Sequence, residues 1–430
     1  SETLFQGVFQ LPAGCCVTAS FLEPTSNLAI RQWYHTPSAQ HDMTFDEASS
    51  HFYDLLLDSV TLRLHSDVLV GTGLSGGLDS SSIVCLVDQL MTGKTHQTFS
   101  SCSHNPAFDE RSYIQQVVKQ TTVNPHYVFP DLGQLLSELG SIVWHQDEPF
   151  HTTSILAEWQ IYQTVAASGV KVTLDGHGAD ETLAGYHAFF AARLAGMFNQ
   201  AKFSTLFSEM GAIHNVHQYS YLGLGMQMMN MLLPEAIRQP LRRLSGKMSA
   251  SIDWMNCAQL GVEPVDPYQQ LGVKSQSVQQ LSQVQLGATS LPVQLHWCDR
   301  DSMAHSVESR APFLDHRLVD FILSCPDDFK LKRGVTKRIL RQSMEGVLPK
   351  GIQNRVSKMG FVTAESEWVR SQPEFFSLQL EQAIEKSHGV LNHKACQVGQ
   401  DILLGKQPYQ SSLWRMICFG EWMQQFKVAV

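Results

Sequence analysis

A chain of 430 residues with 43% apolar residues exceeds one ordinary hydrophobic core, so we expect a globular protein with two packed units. The net charge of −9, with 31 basic residues, argues against nucleic acid or an anionic membrane surface as a partner. No apolar stretch is long enough for a membrane span, and the nine cysteines contain no Cys-x-x-Cys pair, which argues against a disulfide framework and a zinc site. Reduced thiols and a cytoplasmic location are the resulting expectation.

The chain opens with short strand-like pieces around a turn at Pro12 and Gly14 in residues 1–40. A helix is predicted next, over residues 44–64. Thr44 and Glu47 have the spacing of a capping box, in which each side chain bonds to the other residue's backbone N–H.

A glycine-rich turn follows the apolar run at residues 68–70, which predicts a strand buried on both faces, and precedes a helix predicted for residues 80–91. The turn reads Ser-Gly-Gly-Leu-Asp-Ser-Ser over residues 75–81. Glycine N–H groups and a helix N-terminus together attract phosphate. Asp79 would repel a bare phosphate unless a divalent cation lay between them. The turn therefore indicates a nucleotide polyphosphate with Mg²⁺, whereas the alternative is an ordinary Ser/Gly turn before a helix.

Strands and helices alternate in the next hundred residues. Strands are predicted at 98–101, 126–129 and 171–174, and helices at 109–120, 132–144 and 154–167. This alternation predicts right-handed βαβ units and an α/β fold, with a parallel sheet that carries helices on both faces. Ligands bind at the carboxyl ends of the strands in such sheets. Beyond residue 189 the pattern becomes helical, and residues 256–290, rich in Gln, Ser and Gly, predict a loop or lid.

A second polar turn, Asp-Gly-His-Gly-Ala-Asp-Glu, follows the strand at 171–174 and spans residues 175–181. Asp180 in this turn can share one Mg²⁺ with Asp79, because Mg²⁺ is usually held by one or two carboxylates and by phosphate oxygens. The alternative is that Asp180 caps a helix N-terminus. Two acids directed at one cation would repel each other without it. Asp79→Asn or Asp180→Asn is therefore expected to leave the metal-free protein equally or slightly more stable.

A third block covers residues 299–317, Asp-Arg-Asp-Ser-Met-Ala-His-Ser-Val-Glu-Ser-Arg-Ala-Pro-Phe-Leu-Asp-His-Arg, and two basic segments follow at 330–341 and 348–361. With these blocks in this order, the chain over about residues 40–430 resembles the synthetase domain of the asparagine synthetase family. That family includes β-lactam-forming enzymes, lasso-peptide cyclases and amidotransferases of polysaccharide clusters. The loop at 75–81 resembles that of the ATP pyrophosphatases, which split ATP between its α and β phosphates.

The resemblance implies an adenine nucleotide α-hydrolase-like core over residues 41–188 and a mostly helical part over 189–430. Residues 1–40 resemble the closing segment of a glutaminase domain, and a separate glutaminase subunit or domain is a possible partner. Glutaminase chemistry in this family uses an N-terminal cysteine. The sequence opens with Ser1, so as given it is not expected to hydrolyse glutamine.

The implied reaction has two steps. A carboxylate attacks the α-phosphorus of Mg·ATP to give an acyl-adenylate and pyrophosphate, and ammonia or an amine then displaces AMP to form an amide. By matching motif, the pyrophosphate and metal site would comprise Ser75, Gly76, Gly77, Asp79, Ser80 and Ser81, with Asp180 sharing the metal. The AMP pocket would comprise Leu74, Ser101, Asp175 and Gly176. Lys337 and Lys358 match the lysines that face the phosphates and the adenylate, the alternative being solvated surface lysines.

Two departures from the family concern the second substrate. His177 stands where asparagine synthetases have a glutamate and the β-lactam-forming relatives a tyrosine. It could accept the proton of the attacking amine, because its reference pKa of about 6.5 suits a base at neutral pH, or it could be a hydrogen-bonded structural histidine. Between Glu148 and Lys171, where asparagine synthetases have an arginine for the amino-acid carboxylate, the chain has no Lys or Arg. Free aspartate is therefore disfavoured as the substrate.

The sequence thus predicts ATP-dependent amide formation through an acyl-AMP. Intramolecular ring closure, to a lactam or a macrolactam, is the first alternative. A catalytically inactive nucleotide-binding scaffold is the second, and Asp79, Asp180 and Lys358 argue against it.

Overall fold

The computed structural model describes residues 3–20, 28–37, 42–233, 254–261, 276–357, 360 and 363–428. Its strands are β1 Cys15–Val17, β2 Ile30–Gln32, β3 Val70–Gly73, β4 His96–Ser101, β5 Val123–Val128, β6 Val172–Leu174 and β7 Glu308–Arg310. β1 and β2 form an antiparallel pair. The other five strands form one parallel sheet in the order β5-β4-β3-β6-β7, as predicted for an α/β fold.

The helices alternate with strands as far as β6. In this first half they are α1 Phe45–Leu64, α2 Leu78–Leu90, α3 Arg111–Gln120, α4 Leu132–Gln146, α5 Ser154–Ala167 and α6 Ala179–Thr182. After β6 the chain is mainly helical, as predicted. Its further helices are α7 Ala188–Asn199, α8 Phe203–His217, α9 Tyr221–Leu232, α10 Val278–Val284, α11 Leu291–Ala304, α12 His316–Ser324, α13 Asp327–Lys330, α14 Arg338–Ser343, α15 Lys350–Gln353, α16 Glu365–Ser371, α17 Pro373–Lys386, α18 His393–Leu403 and α19 Ser412–Gln425.

The two faces of the sheet carry separate helix layers, which confirms the predicted arrangement. On one face, apolar residues of α1, α2 and α12 pack with Val172 and Leu174 of β6. On the other face, Phe99 of β4 packs with Tyr162 of α5 and Cys298 of α11. The predicted capping box of α1 is present, since the Thr44 backbone N–H donates to Glu47 Oε2 at 2.9 Å and the Glu47 N–H donates to Thr44 Oγ1 at 3.3 Å.

The central strand β3 does not lie where its hydrophobic pattern placed it. Val68 and Leu69 are 48% and 63% exposed, so the prediction of a buried strand at 68–70 is wrong. The strand instead uses Gly71 and Gly73, because its neighbours lie too close for side chains. A Cβ on Gly71 would be 2.9 Å from Phe99 Cε2, and one on Gly73 would be 2.8 Å from Asp175 Oδ1.

Two other predictions need correction. The expected loop or lid at 256–290 is helical over its described C-terminal end, where α10 continues into a π-helical turn at Gln285–Thr289, while residues 262–275 lie outside the described part. Strand β7 was not predicted. It pairs with β6 in register, Leu174 opposite Arg310, and is three residues long, so its sequence carries little of the period-two pattern of a strand.

The described part of the chain contains no helix with both the length and the apolar character needed to cross a bilayer. All nine cysteines are free thiols.

The His96 side chain is buried between the sheet and its helices and forms a 2.8 Å hydrogen bond between Nε2 and Thr72 Oγ1. Burial lowers the pKa of His96 to about 4, an effect that Asp88 partly opposes. Above the unfolded pKa of about 6.5, His96 is neutral in both states and the folded protein keeps its full stability. Between about pH 6.5 and pH 4 only the unfolded state binds the proton, so stability is lost as the pH falls. We expect His96 to lower the free energy of unfolding by about 2 kcal/mol as the pH falls from 7 to 5.

Urea unfolding of the wild type and of His96→Gln at pH 7 and pH 5 measures this contribution. The variant should lose less stability than the wild type over that interval. Equal losses in the two proteins would show that His96 does not titrate as its burial implies.

Candidate active site

The turn between β3 and α2 is held in one conformation by its own hydroxyl groups. The Ser75 N–H donates to Ser80 Oγ at 3.2 Å, the Gly77 N–H donates to Ser75 Oγ at 3.3 Å, and the two hydroxyl oxygens are 3.0 Å apart. Gly76 has φ +73°, and a Cβ there would lie 2.8 Å from Tyr113 Cβ. Only glycine fits this position without strain.

Helix α2 begins at Leu78, two residues before the predicted start, so Asp79 and Ser80 lie in its first turn. The N–H groups of that first turn and the positive end of the helix dipole therefore point to the carboxyl edge of the sheet, beside the glycine-rich turn. This arrangement suits an anion.

Three charged side chains from distant parts of the chain meet at this edge. The Lys337 ammonium contacts Asp79 Oδ2 and lies 2.7 Å from Asp180 Oδ1. Lys337 is 5% exposed, so the surface-lysine alternative is wrong. Gly178 is the N-cap of α6, so Asp180 is not the cap of that helix either. The two aspartates therefore surround one cationic group, the Lys337 ammonium, and their sharing of Mg²⁺ stays a prediction.

The ion pairs determine the ionisation of Lys337. Burial lowers the pKa of its ammonium, but Asp180 and Asp79 together more than reverse that effect and raise the pKa above its usual range. Glycine leaves room for the pair, because a Cβ on Gly185 would lie 1.8 Å from Asp180 Oδ1 and 2.4 Å from Lys337 Cε. Lys337 itself has φ +53°, a backbone conformation that costs a non-glycine residue energy and is concentrated at functional sites.

Asp175, at the end of β6, accepts three hydrogen bonds on one oxygen. Thr173, Ser309 and Tyr162 donate their hydroxyl groups to Asp175 Oδ2 at 2.8, 2.7 and 3.2 Å. The other oxygen, Oδ1, lies toward Gly73. Three donors on one oxygen fix the carboxylate, so Oδ1 is a positioned acceptor at the carboxyl edge of the sheet.

A cavity of about 900 Å³ opens at this edge. Of the residues predicted for the site, it is lined by Leu74, Ser75, Gly77, Asp79, Ser80, Ser101, Asp175, Gly176, His177, Asp180 and Lys337. Gly76 and Ser81 are not among the lining residues, and Ser81 is fully buried. Lys358 lies outside the described residues. A cavity of this size is at the upper end of the usual range of roughly 300–1,000 Å³ for small-molecule sites.

His177 borders the cavity next to Glu158 of α5, with Cys298 of α11 behind them. His177 Nδ1 is buried and has no hydrogen-bond partner among the described residues, which does not support the alternative of a hydrogen-bonded structural histidine. Burial raises the pKa of Glu158, an effect that His177 opposes and Asp175 reinforces. Burial also raises the pKa of the Cys298 thiol, with further contributions from Glu158 and Asp175. Sequence analysis missed Glu158 and Cys298 because neither belongs to a local motif.

The model of the family described as Asparagine synthase matches residues 51–424. The chain belongs to the asparagine synthase family. It is 23% identical over 427 residues to glutamine-hydrolyzing asparagine synthetase 1 of Bacillus subtilis, covering 93% of this chain and 63% of the relative. It is 24% identical over 406 residues to Amidase chry2 of Gibberella zeae, covering 86% of this chain and 60% of the relative. The chain thus spans less than two thirds of either relative's length.

Among solved structures, NMN synthetase from Francisella tularensis matches with a TM-score of 0.23 and 14% identity, covering 61% of this chain and 97% of that one.

In this asparagine synthase-family chain, the guanidinium of Arg355 also contacts the turn at residues 75–81. Arg355 Nη1 donates to the Gly76 carbonyl at 3.0 Å, Nη2 forms an ion pair with Glu110, and the guanidinium lies 3.9 Å from the ring centroid of Tyr113. Arg341, nearby, donates to the carbonyls of Thr336 and Gln353 at 2.8 and 2.6 Å. Both arginines line the cavity and are already engaged with protein acceptors.

The residues at this edge fit Mg²⁺ and a polyphosphate. Asp79 and Asp180 already hold one cationic group between them, which is the donor set that Mg²⁺ uses alongside phosphate oxygens. The N-terminus of α2 presents N–H groups to the same place.

Proposed function

We propose that the protein activates a carboxylate with ATP, forming an acyl-adenylate and pyrophosphate, and then transfers the acyl group to ammonia or an amine. The observation that carries this proposal is the cationic position between Asp79 and Asp180 at the N-terminus of α2, on the wall of the 900 Å³ cavity. Family membership supports the same reaction class. Cytoplasmic location and a separate glutaminase partner remain predictions.

Different residues of the site would bind the phosphates of ATP and its AMP moiety. The N–H groups of the first turn of α2 would bind the β and γ phosphates, and Mg²⁺ held by Asp79 and Asp180 would neutralise phosphate charge there. Lys337, which contacts both aspartates in the structure, would add a second positive charge next to the metal. Asp175 and Gly176, farther along the wall, would contact the AMP moiety, with Oδ1 of Asp175 as an acceptor for its hydrogen-bond donors.

The chemistry of the second step needs a proton acceptor. When the amine nitrogen attacks the acyl carbon, the bond from that carbon to the AMP oxygen breaks and the nitrogen must lose a proton. His177 borders the cavity at the carboxyl edge of the sheet, so we propose that it takes this proton. Its Nδ1 is buried, so its other ring nitrogen is the one we assign to the amine.

The carboxylate substrate we propose is not free aspartate. Arg341 and Arg355, the two arginines among the described lining residues, already donate to Thr336, Gln353, Glu110 and Gly76. An α-carboxylate in the cavity would have to displace one of these partners to gain a bidentate guanidinium. This observation also favours the second candidate, ring closure within a larger substrate. Such a substrate would place only its reacting carboxyl group in the site and would need no guanidinium for a second one.

Purified protein with Mg·ATP is expected to catalyse exchange of labelled pyrophosphate into ATP when the correct carboxylate is present, and to release AMP with pyrophosphate when an amine is added. A screen over candidate carboxylates, free and peptide-borne, identifies the acceptor before the amine is known. Stoichiometric ADP and phosphate as products would exclude the proposed reaction.

His177→Ala is expected to retain pyrophosphate exchange but to form amide at least about 100-fold more slowly. The first step starts from an ionised carboxylate and needs no proton removed, whereas a general base typically contributes about 10²-fold or more to the second. Exchange and single-turnover amide formation, measured on the same preparation, separate the two steps.

His151→Ala serves as the matched control, because His151 also lines the cavity. It should show no selective loss of the second step. If His177→Ala lost both steps in equal proportion, His177 would be shaping the turn around Asp175 and the base would have to be another group.

A further inference from the structure

Three side chains of different chemistry converge behind the cavity wall, from elements far apart in sequence. Glu158 comes from α5, His177 from the turn after β6, and Cys298 from α11. One ligand atom of each, a carboxylate oxygen, a ring nitrogen and Sγ, lies within 4.8 Å of the other two. Oxygen, nitrogen and sulfur donors in one group are the combination found around transition metals.

The separations are close to those of a bound metal. Zn²⁺ binds nitrogen and oxygen at about 2.0–2.2 Å and sulfur at about 2.3 Å, so tetrahedral ligand atoms lie roughly 3.3–3.8 Å apart. Side-chain rotations that bring the three atoms about 1 Å closer would complete the geometry. Glu158 and His177 are only partly buried, which leaves them room for such rotations.

The cluster is fixed at Cys298 and open to the cavity at Glu158 and His177. Cys298 is 2% exposed and is fixed by Tyr162, whose hydroxyl lies 3.1 Å from Sγ, and by Ser309, whose Oγ accepts from Sγ at 3.3 Å. Glu158 and His177 face the cavity, so a fourth ligand could enter from there. Three protein ligands with one open position is the arrangement of reactive rather than purely structural zinc sites.

The charge of this region also favours a cation. Glu158 is near Asp175 and Asp301, whose carboxylates interact with it electrostatically. The segment of the chain around Glu158, residues 149–170, contains no Lys or Arg. A divalent ion would compensate this negative charge.

We propose that Glu158, His177 and Cys298 form a binding site for a divalent transition metal, with Zn²⁺ the best match to its mixed donors. Binding breaks the Cys298 S–H bond and releases the proton to solvent, so affinity increases with pH. The site is separate from the Asp79 and Asp180 pair and does not depend on the proposed reaction. Where that reaction does operate, a metal on His177 occupies the lone pair that a base needs, so the metal inhibits amide formation and spares pyrophosphate exchange.

Titration of the full-length chain with Co²⁺ tests the site without measuring activity. We expect one equivalent of Co²⁺ to produce thiolate-to-cobalt charge-transfer absorption, and Zn²⁺ to remove it by competition. Cys298→Ser should abolish that absorption. Cys102→Ser is the matched control, since Cys102 is also buried and lies on the cavity wall, and this variant should bind Co²⁺ as the wild type does.

Two further variants make the result independent of folding and of the magnesium site. Glu158→Gln, which keeps the side-chain volume, should weaken binding at least tenfold, and Asp79→Asn should leave the absorption unchanged. Circular dichroism of each metal-free variant confirms that it is folded. Cobalt absorption that persists in Cys298→Ser, or no binding by the folded wild type at micromolar Co²⁺, would overturn the inference.

Discussion

Asp79→Asn is expected to abolish both pyrophosphate exchange and amide formation, with activity at least about 1,000-fold lower. A ligand of Mg²⁺ contributes several kcal/mol of stabilisation to phosphate charge in the transition state, and each 1.36 kcal/mol is a factor of ten in rate. The free energy of unfolding should also fall by about 1.5–3 kcal/mol, the range for a hydrogen bond to a charged group, because the Lys337 ammonium loses its ion pair with Asp79 and keeps the one with Asp180.

Asp88→Asn is the matched control for this variant. Asp88 lies on the same helix, α2, and accepts from the N–H and the hydroxyl of Thr122, away from the cavity. It should lose some stability and keep its activity. Exchange at the wild-type rate in Asp79→Asn would remove Asp79 from the metal site.

Lys337→Met is expected to lower the free energy of unfolding by about 3–5 kcal/mol, because it leaves two poorly solvated carboxylates facing each other without their shared cation. Urea unfolding measures the loss. The raised pKa of Lys337 means that the wild-type contribution is fully present below about pH 10.5 and is lost only as the pH rises through the folded value. Pyrophosphate exchange should also fall, since the charge acts on the phosphates.

Lys332→Met provides the matched comparison. Lys332 pairs with Asp328 at 2.7 Å, but both side chains are 46% exposed, so the loss should be only about 0.3–0.5 kcal/mol. Replacing Asp79, Asp180 and Lys337 together by Asn, Asn and Met should recover part of the stability lost in Lys337→Met. If the single and triple variants were equally unstable, packing around the Lys337 stem, and not the charge, would be the cause.

The sequence predicted the parts of the site that lie in continuous motifs. The turn at 75–81 and the turn at 175–181 each follow a strand, and parallel strands place their carboxyl ends at one edge, so the meeting of Asp79 and Asp180 could be expected. The same reasoning predicted β4, β5 and β6 and both helix layers. It failed for β3, where close packing against Phe99 and Asp175 requires glycines that carry no hydrophobic signal.

The remaining parts depend on contacts between distant segments. No local pattern indicates that Lys337 would lie between the two aspartates, and the predicted repulsion between those acids was wrong for that reason. The expected neutral or stabilising effect of Asp79→Asn is reversed accordingly. Likewise, a search for Cys-x-x-Cys pairs could not find Cys298, because its partners Glu158 and His177 reach it only through the packing of α5 and α11 against the sheet.

The position of Lys337 in the chain bears on the protein's synthesis. A ribosome completes Asp79 and Asp180 first and adds Lys337 about 160 residues later, which at roughly 5–20 residues per second is about 8–30 s. Arg355, which holds the Gly76 carbonyl, follows later still. An α/β core that formed in this interval would have two facing carboxylates and an untethered turn. The active site is assembled only when the helical C-terminal part emerges and docks, so a chain stalled near residue 188 would carry the nucleotide motifs without a working site.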